Sequence, residues 1–277
     1  MAAHANLISG SILVMETIDY LVSVGGSAGA SSVVEYVMNI QNANDAMSRA
    51  LVGDLCERDP RISVDGDTVS LHEPDRDSID LSQASYVVLD LETTGAKAPP
   101  CRIIEIGAYR VHGGAIVDEF ITLVNAETHV PEFISSLTGI SNEMIRTAPR
   151  FDEVVADFLA FLGDSILVAH NYAFDLAFLN HEIARVHEDC SIWNPTLCTV
   201  ELSRTVLPDI ENHKLKTLAN YYSVDLINHH RAGDDAHATA KIFINLLESM
   251  HEQGVRSYGA ARKFGRKKHY ARRQAAA

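Results

Sequence analysis

The segment "VVLDLETTG", residues 87–95, reads as a buried strand that carries two carboxylates, Asp90 and Glu92. Side chains two apart on a strand share a face, so both acids aim the same way. Two carboxylates side by side, with no cation, push one pKa up sharply. No Lys or Arg lies within four positions of either residue. The pair therefore needs a basic partner from elsewhere in the fold, or a divalent metal. Gly95 permits the Thr-Thr-Gly turn that ends the strand.

Two further stretches carry similar chemistry. In "LVAHNYAFDLAFL" a strand ends at His170-Asn171, and Asp175 falls in the first turn of the next helix. An acid there also suits the positive end of the helix dipole, so Asp175 alone decides nothing. In "HHRAGDDAHATA" His230 and Asp235 lie five apart, across a loop and the start of a helix. Asp234 suits an N-cap, whereas Asp235 adjoins Ala236 on the expected buried face. His229, beside His230, leaves the register of the histidine open. Four acids from one strand and two helix starts, with a histidine on an adjacent loop, suit two-metal hydrolysis of a phosphodiester by Mg²⁺ or Mn²⁺ held through oxygen. A histidine with an ordinary pKa of about 6.5 is suited to taking the proton of the attacking water.

The elements that must position these residues follow from the hydrophobic pattern. "SYVVLDLE" is a strand; "RIIEIGAYRVH", Gly113-Gly114 and "AIVDEFITLVN" form a hairpin of long strands; "SILVAH" is a fourth strand. A helix follows over 173–187, with Leu176, Leu179, Ile183 and Val186 inward. A last helix over 234–250 turns Ala236, Ala240, Phe243, Leu247 and Met250 inward. The fold expected is α/β, a mixed sheet flanked by helices. Ahead of it, three short helices and a hairpin at Asp65-Gly66 have the order of a winged-helix module. The domains expected are a winged-helix-like module over 1–72, a linker over 73–84, the main α/β domain over 85–252 and a basic, flexible tail over 253–277.

Composition narrows the partners. The 277 residues are 47% hydrophobic and carry a net charge of -14. Residues 256–277 hold eight Lys/Arg and no acid, which leaves 15 basic against 37 acidic residues elsewhere, a charge of -22. Such a body is unsuited to coating a duplex through its phosphates, whereas the basic tail could supply phosphate contacts locally. Residues 1–80 contain four Arg, no Lys and thirteen acids, so the first module reads as a protein-interaction or packing element rather than a DNA reader. No stretch approaches the roughly 18 apolar residues of a membrane span, and no membrane partner is expected. The four scattered cysteines read as reduced thiols of a cytoplasmic protein.

Taken in order, these motifs resemble the DEDDh exonucleases, the ribonuclease H-like 3′-to-5′ exonucleases that include the proofreading epsilon subunit of bacterial DNA polymerase III. "VVLDLETTG" matches the first family motif, "RIIEIGAYRV" is similar to the stretch after it, and "HVPEFISSLTGISNEMIRTAP" resembles the segment before the second motif. "LVAHNYAFDLAFL" is similar to the second motif and "HRAGDDAHATA" to the third. The likeness runs from about Ser85 to Met250. The position where a tyrosine-type relative has Tyr, four residues before the final Asp, is Arg231 here.

The resemblance implies a ribonuclease H-like fold and two ions, Mg²⁺ or Mn²⁺, held by Asp90, Glu92, Asp175 and Asp235, with Asp90 bridging. It implies His230 as general base. Leu91, Thr93, Thr94, His170, Asn171 and Phe174 would lie along the substrate, although packing behind the metal-binding acids explains the last three equally well. The implied activity is release of nucleoside 5′-monophosphates from a single-stranded or frayed 3′ end of DNA, in proofreading or repair. RNA is the alternative substrate, and a non-catalytic subunit that binds nucleic acid or a polymerase is the other class. The N-terminal module would meet a DNA polymerase or another protein.

Overall fold

The computed structural model describes residues 5–56 and 59–275, with side chains as far as residue 266. It divides into two units, residues 1–74 with 183–193, and residues 75–182 with 194–277.

The first unit runs β1 (Leu7–Ser9), α1 (Ile12–Ser23), β2 (Ser27–Gly29), α2 (Ala30–Met38), α3 (Asp45–Cys56), β3 (Ile62–Asp65) and β4 (Thr68–Leu71). The three expected helices and the hairpin are present, and β2 adds a third strand in the order β2-β4-β3. Val14, Leu21, Val33, Val34, Val52 and Val69 close its core. Val22, next to Leu21 on α1, is exposed. Strand β9 (Cys190–Ile192) pairs antiparallel with β1. The buried carboxylate of Asp59 binds the N–H of Ser9 at 2.7 Å and the Arg61 guanidinium at 2.7 Å.

The second unit contains a 3-10 turn (Arg76–Ser78), β5 (Tyr86–Thr93), β6 (Ile103–His112), β7 (Ala115–Leu123), α4 (Glu132–Thr138), α5 (Asn142–Arg146), α6 (Phe151–Leu162) and β8 (Ile166–Ala169). Helix α7 (Tyr172–Val186) starts in it, and β10 (Thr196–Cys198), α8 (Thr199–Val206), α9 (Leu215–Tyr221), α10 (Ala232–Glu252) and α11 (Tyr258–Ala275) complete it. The sheet order is β10-β8-β5-β6-β7. Strand β5 is antiparallel to β6 and parallel to β8, so the sheet is mixed as expected.

The alternation of faces along β5 fixes where the acids point. Tyr86 and Val88 pack with Phe243 and Leu246 of α10, and the Tyr86 and Phe243 rings meet edge to face at 4.9 Å. Asp90 and Glu92 continue that same face of the strand. On the opposite side Ile104, Val130, Ile140 and Ile145 form a second cluster. Helix α7 buries Phe178, Leu179 and Ile183 rather than the whole predicted stripe, and Val186 at its end is exposed.

Two stretches differ from the expected boundaries. The expected linker is built into the second unit: Leu81 and Ala84 are buried, and the N–H of Leu81 donates to the carbonyl of Arg256 at 2.9 Å. Polar composition concealed two apolar anchors that a strand-like bridge, Asp80 to Ser257, holds in place. The expected tail is helical from Tyr258, because Tyr258, Ala261 and Phe264 fall at spacings of three and enter the core. The side chains of Lys267, Lys268, Arg272 and Arg273 lie outside the described residues. Among the described residues no helix is long and apolar enough to cross a membrane, and no disulfide joins any of the four cysteines.

Candidate active site

Three elements converge on the polar end of the β5 face. Strand β5 brings Asp90 and Glu92, the first turn of α7 brings Asp175, and the first turn of α10 brings Asp235. Oxygens of Asp90, Glu92 and Asp235 all lie within 4.8 Å of one another. Asp175 and Asp235 are buried, at 5% and 4% exposure. The Asp175 carboxylate accepts the backbone N–H of Leu91, which ties α7 to the strand that carries the other acids.

Helix α10 can reach the sheet because of one glycine. Gly107 pairs with Asp90 across β5 and β6, and a Cβ at Gly107 would lie 2.2 Å from the carbonyl oxygen of Ala232. The helix start is then fastened from below by Glu105, whose burial is nearly complete. Its carboxylate receives the Arg231 guanidinium at 2.6 Å and the Ala232 N–H at 2.9 Å. Local sequence pattern singles out neither Glu105 nor its partner Arg231, since 126 residues separate the two.

The crowding leaves a clear electrostatic mark. Burial, followed by the charges of Asp175, Asp235, Glu92 and Glu105, raises the Asp90 pKa well above the ordinary carboxylate value. Burial and Asp235 raise Glu92 from 4.5 to about 7. Burial raises Asp175 from 3.8 to about 8, opposed by the two backbone hydrogen bonds it accepts. Asp90, Glu92 and Asp175 therefore hold their protons more tightly than free carboxylates do, and cations entering the site would displace those protons.

The histidines resolve less simply than the spacing implied. Nδ1 of His229 lies 3.0 Å from both oxygens of Asp235, whereas His230 reaches Asp235 through its backbone N–H at 3.1 Å. The two rings stack with centroids 4.0 Å apart. His230 holds a left-handed backbone, φ 73°, uncommon for a residue other than glycine. Burial and the neighbouring His229 lower its pKa. Ligand-capable atoms of His229, His230 and Asp235 also fall within 4.8 Å of one another.

The remaining predicted residues divide. Leu91 is buried, and its backbone rather than its side chain meets Asp175. Thr93 donates its hydroxyl to the carbonyl of Gly95 at 2.7 Å, and the hydroxyl of Thr94 accepts the N–H of Arg102 at 2.9 Å, so both close the turn after β5. Asn171 is exposed with φ 77°. Phe174 packs on Phe178 with ring centroids 4.9 Å apart. His170 turns to Thr199, 2.9 Å from its Nδ1, and burial lowers its pKa to about 4.

Residues 87–243, the span containing every one of these groups, match the family model described as Exonuclease. The chain belongs to the exonuclease family. Among its relatives, the PolC-type DNA polymerase III of Caldanaerobacter subterraneus subsp. tengcongensis is 43% identical over 175 residues, which are 63% of this chain and 12% of that protein. The chain thus spans about an eighth of that relative's length. The exonuclease fold is shared with the solved structure of Exonuclease X in complex with 5′ overhanging duplex DNA, at TM-score 0.51 and 24% identity, covering 65% of this chain and 99% of that one. It is shared too with the nuclease domain of 3′hExo, a DEDDh family member bound to rAMP, at TM-score 0.50 and 19% identity, covering 64% and 96%.

Exonucleases of this family use divalent metal ions. The donor set here fits such ions: the acids offer hard carboxylate oxygens, and the Arg231 guanidinium beside them is engaged by Glu105.

Proposed function

We propose that this exonuclease hydrolyses phosphodiester bonds one nucleotide at a time from a single-stranded or frayed 3′ end of DNA, releasing nucleoside 5′-monophosphates. The convergence of four carboxylates from β5, α7 and α10, three of them with raised pKa, carries this reading. Asp90, Glu92, Asp175 and Asp235 would hold two Mg²⁺ or Mn²⁺ ions. When bound, the ions would supply Lewis-acid stabilisation of the charge that develops on the phosphoryl oxygens.

The protein's own groups then have separate tasks. His230, kept neutral by burial and by His229, accepts a proton from the attacking water as its oxygen bonds to phosphorus. The bond from phosphorus to the 3′ oxygen breaks, that oxygen leaves as a hydroxyl after taking a proton from solvent, and His230 then returns its own proton to solvent. His229, bonded to Asp235, orients that carboxylate and presents a stacked ring against which His230 is held. Glu105 and Arg231 set the start of α10, and with it the position of Asp235. Asn171 and Phe174, at the start of α7, border the terminal nucleotide, together with the backbone of Leu91, Thr93 and Thr94. His170 supports that rim through Thr199.

The likeness to a PolC-type polymerase supports a role in proofreading or repair. The first unit, with a winged-helix order of elements and thirteen acids against four Arg in residues 1–80, would serve as the surface for a polymerase or another protein. The test is hydrolysis of matched 5′-labelled DNA and RNA oligonucleotides with Mg²⁺, Mn²⁺ or EDTA. A metal-dependent ladder shrinking from the 3′ end of DNA supports the proposal. Preference for RNA replaces the substrate with the ribose polymer, and no cleavage in any metal refutes the activity.

A further inference from the structure

Helix α11 is the one strongly basic element of an acidic protein, and the chemistry above makes no use of it. We infer that α11 is the track on which the second unit holds the phosphodiester backbone of the strand whose 3′ end is being cut, an inference that rests on the exonuclease reading.

Its placement is fixed. Tyr258, Ala261 and Phe264 are buried. The Tyr258 hydroxyl lies 3.2 Å from the backbone nitrogen and oxygen of Thr196, and the Thr205 hydroxyl donates to the carbonyl of Phe264 at 3.0 Å. Past this anchor the helix carries Arg262, Lys263 and Arg266 among its described side chains, and its sequence continues with Lys267, Lys268, Arg272 and Arg273. Arg262 pairs with Asp77 at 3.2 Å. Lys263 and Arg266 are exposed and, among the described residues, sit in no ion pair.

A small polar cleft of about 100 Å³ joins this helix to the rim of the active site. Arg262 and Arg266 line it together with Tyr172, Cys198 and Glu201. Tyr172 opens α7, whose first turn carries Asp175. Cys198 pairs with Ala169, the residue before His170. The two arginines therefore border the cleft beside the helix start that bears a catalytic acid, with Glu201 the one carboxylate among the described residues lining it. The sequence outside α11 has a charge of -21 and repels a polyanion, which concentrates attraction on α11. A membrane surface does not fit: the apolar face of the described part of α11 is already spent on the core, so nothing remains to insert.

The test uses the full chain and the variant Lys263→Ala/Arg266→Ala, with binding read by fluorescence anisotropy of a labelled single-stranded DNA of about 20 nucleotides. Titrations run in EDTA, so that hydrolysis plays no part, across a range of NaCl concentrations. Each lost phosphate contact lowers the logarithmic salt slope by about 0.7, so the variant's slope should fall by about 1.4 and its affinity by roughly tenfold at low salt. Thermal melting of both proteins checks that the fold is kept. Turnover of the p-nitrophenyl ester of thymidine 5′-monophosphate with Mn²⁺, a substrate too short to reach α11, should not change. Parental affinity and slope in a folded variant, or a parent that does not bind the oligonucleotide, overturns the inference. A parent that binds through these residues but releases no nucleotide leaves the track standing and refutes the exonuclease reading instead.

Discussion

Replacing Asp175 with Asn should make the metal-free protein more stable while destroying its activity. The carboxyl is 5% exposed, and its pKa rises from 3.8 to about 8 on folding. A carboxyl whose pKa is raised by folding binds its proton more tightly in the folded state. Stability is therefore full below about pH 4 and falls as pH rises, until the folded group ionises near pH 8. At pH 7 the gap of about three units corresponds to about 4 kcal/mol. Asp90 and Glu92 share the same crowding, so removal of one charge recovers about half of this, ~2 kcal/mol, or a rise of about 4–8 °C in Tm. The assay is thermal unfolding of parent and Asp175→Asn in EDTA from pH 4 to 9. The difference in Tm should be near zero at pH 4 and grow to its maximum by pH 8. Added Mn²⁺ should raise the parent's Tm and leave the variant's nearly unchanged. A parent Tm that does not fall between pH 5 and 8, with a variant no more stable at any pH, would refute the reasoning.

Other substitutions separate the parts of the site. Gly107→Ala should cost at least about 3 kcal/mol, because its Cβ must displace the Ala232 carbonyl; urea unfolding measures it, and a neutral result would mean that α10 does not press on β6. His230→Ala should lower kcat by about 10²–10⁴-fold, with a smaller loss for His229→Ala; the reverse order in single-turnover rates would transfer the base to His229. Arg231→Ala leaves the Glu105 carboxylate buried without its guanidinium and should destabilise by about 3 kcal/mol, a loss that Glu105→Gln/Arg231→Ala should partly restore in the same denaturant assay.

Much of this site was legible because β-strand and helix periods place acids in advance. The two-residue spacing in "VVLDLETTG" put Asp90 and Glu92 on one face, and that face meets α10. The phase of Ala236, Ala240 and Phe243 identified Asp235 as the inward acid of the Asp234-Asp235 pair, and it is buried. Asp175 alone looked like a dipole acid, and its meeting with Leu91 depends on a crossover that local pattern does not encode. The Glu105–Arg231 pair and the role of Gly107 were hidden for the same reason, since each depends on which strand the helix start touches. Local pattern also failed at the edges. Leu81 and Ala84 sit in a polar run, and Tyr258 and Phe264 in a basic one, so composition masked the few apolar residues that decide burial. The two adjacent histidines could not be ranked from spacing, because a left-handed residue at His230 sets which ring meets Asp235.

The account stands or falls on whether the four acids hold divalent cations. Titration of the metal-free chain with Mn²⁺ at pH 8, followed by electron paramagnetic resonance of the unbound ion, tests this directly. The account predicts about two bound ions per chain, with binding weakening as pH falls below 7, and no comparable binding to Asp90→Asn. A folded parent that leaves all its Mn²⁺ free, or an Asp90→Asn variant that binds as the parent does, would contradict it.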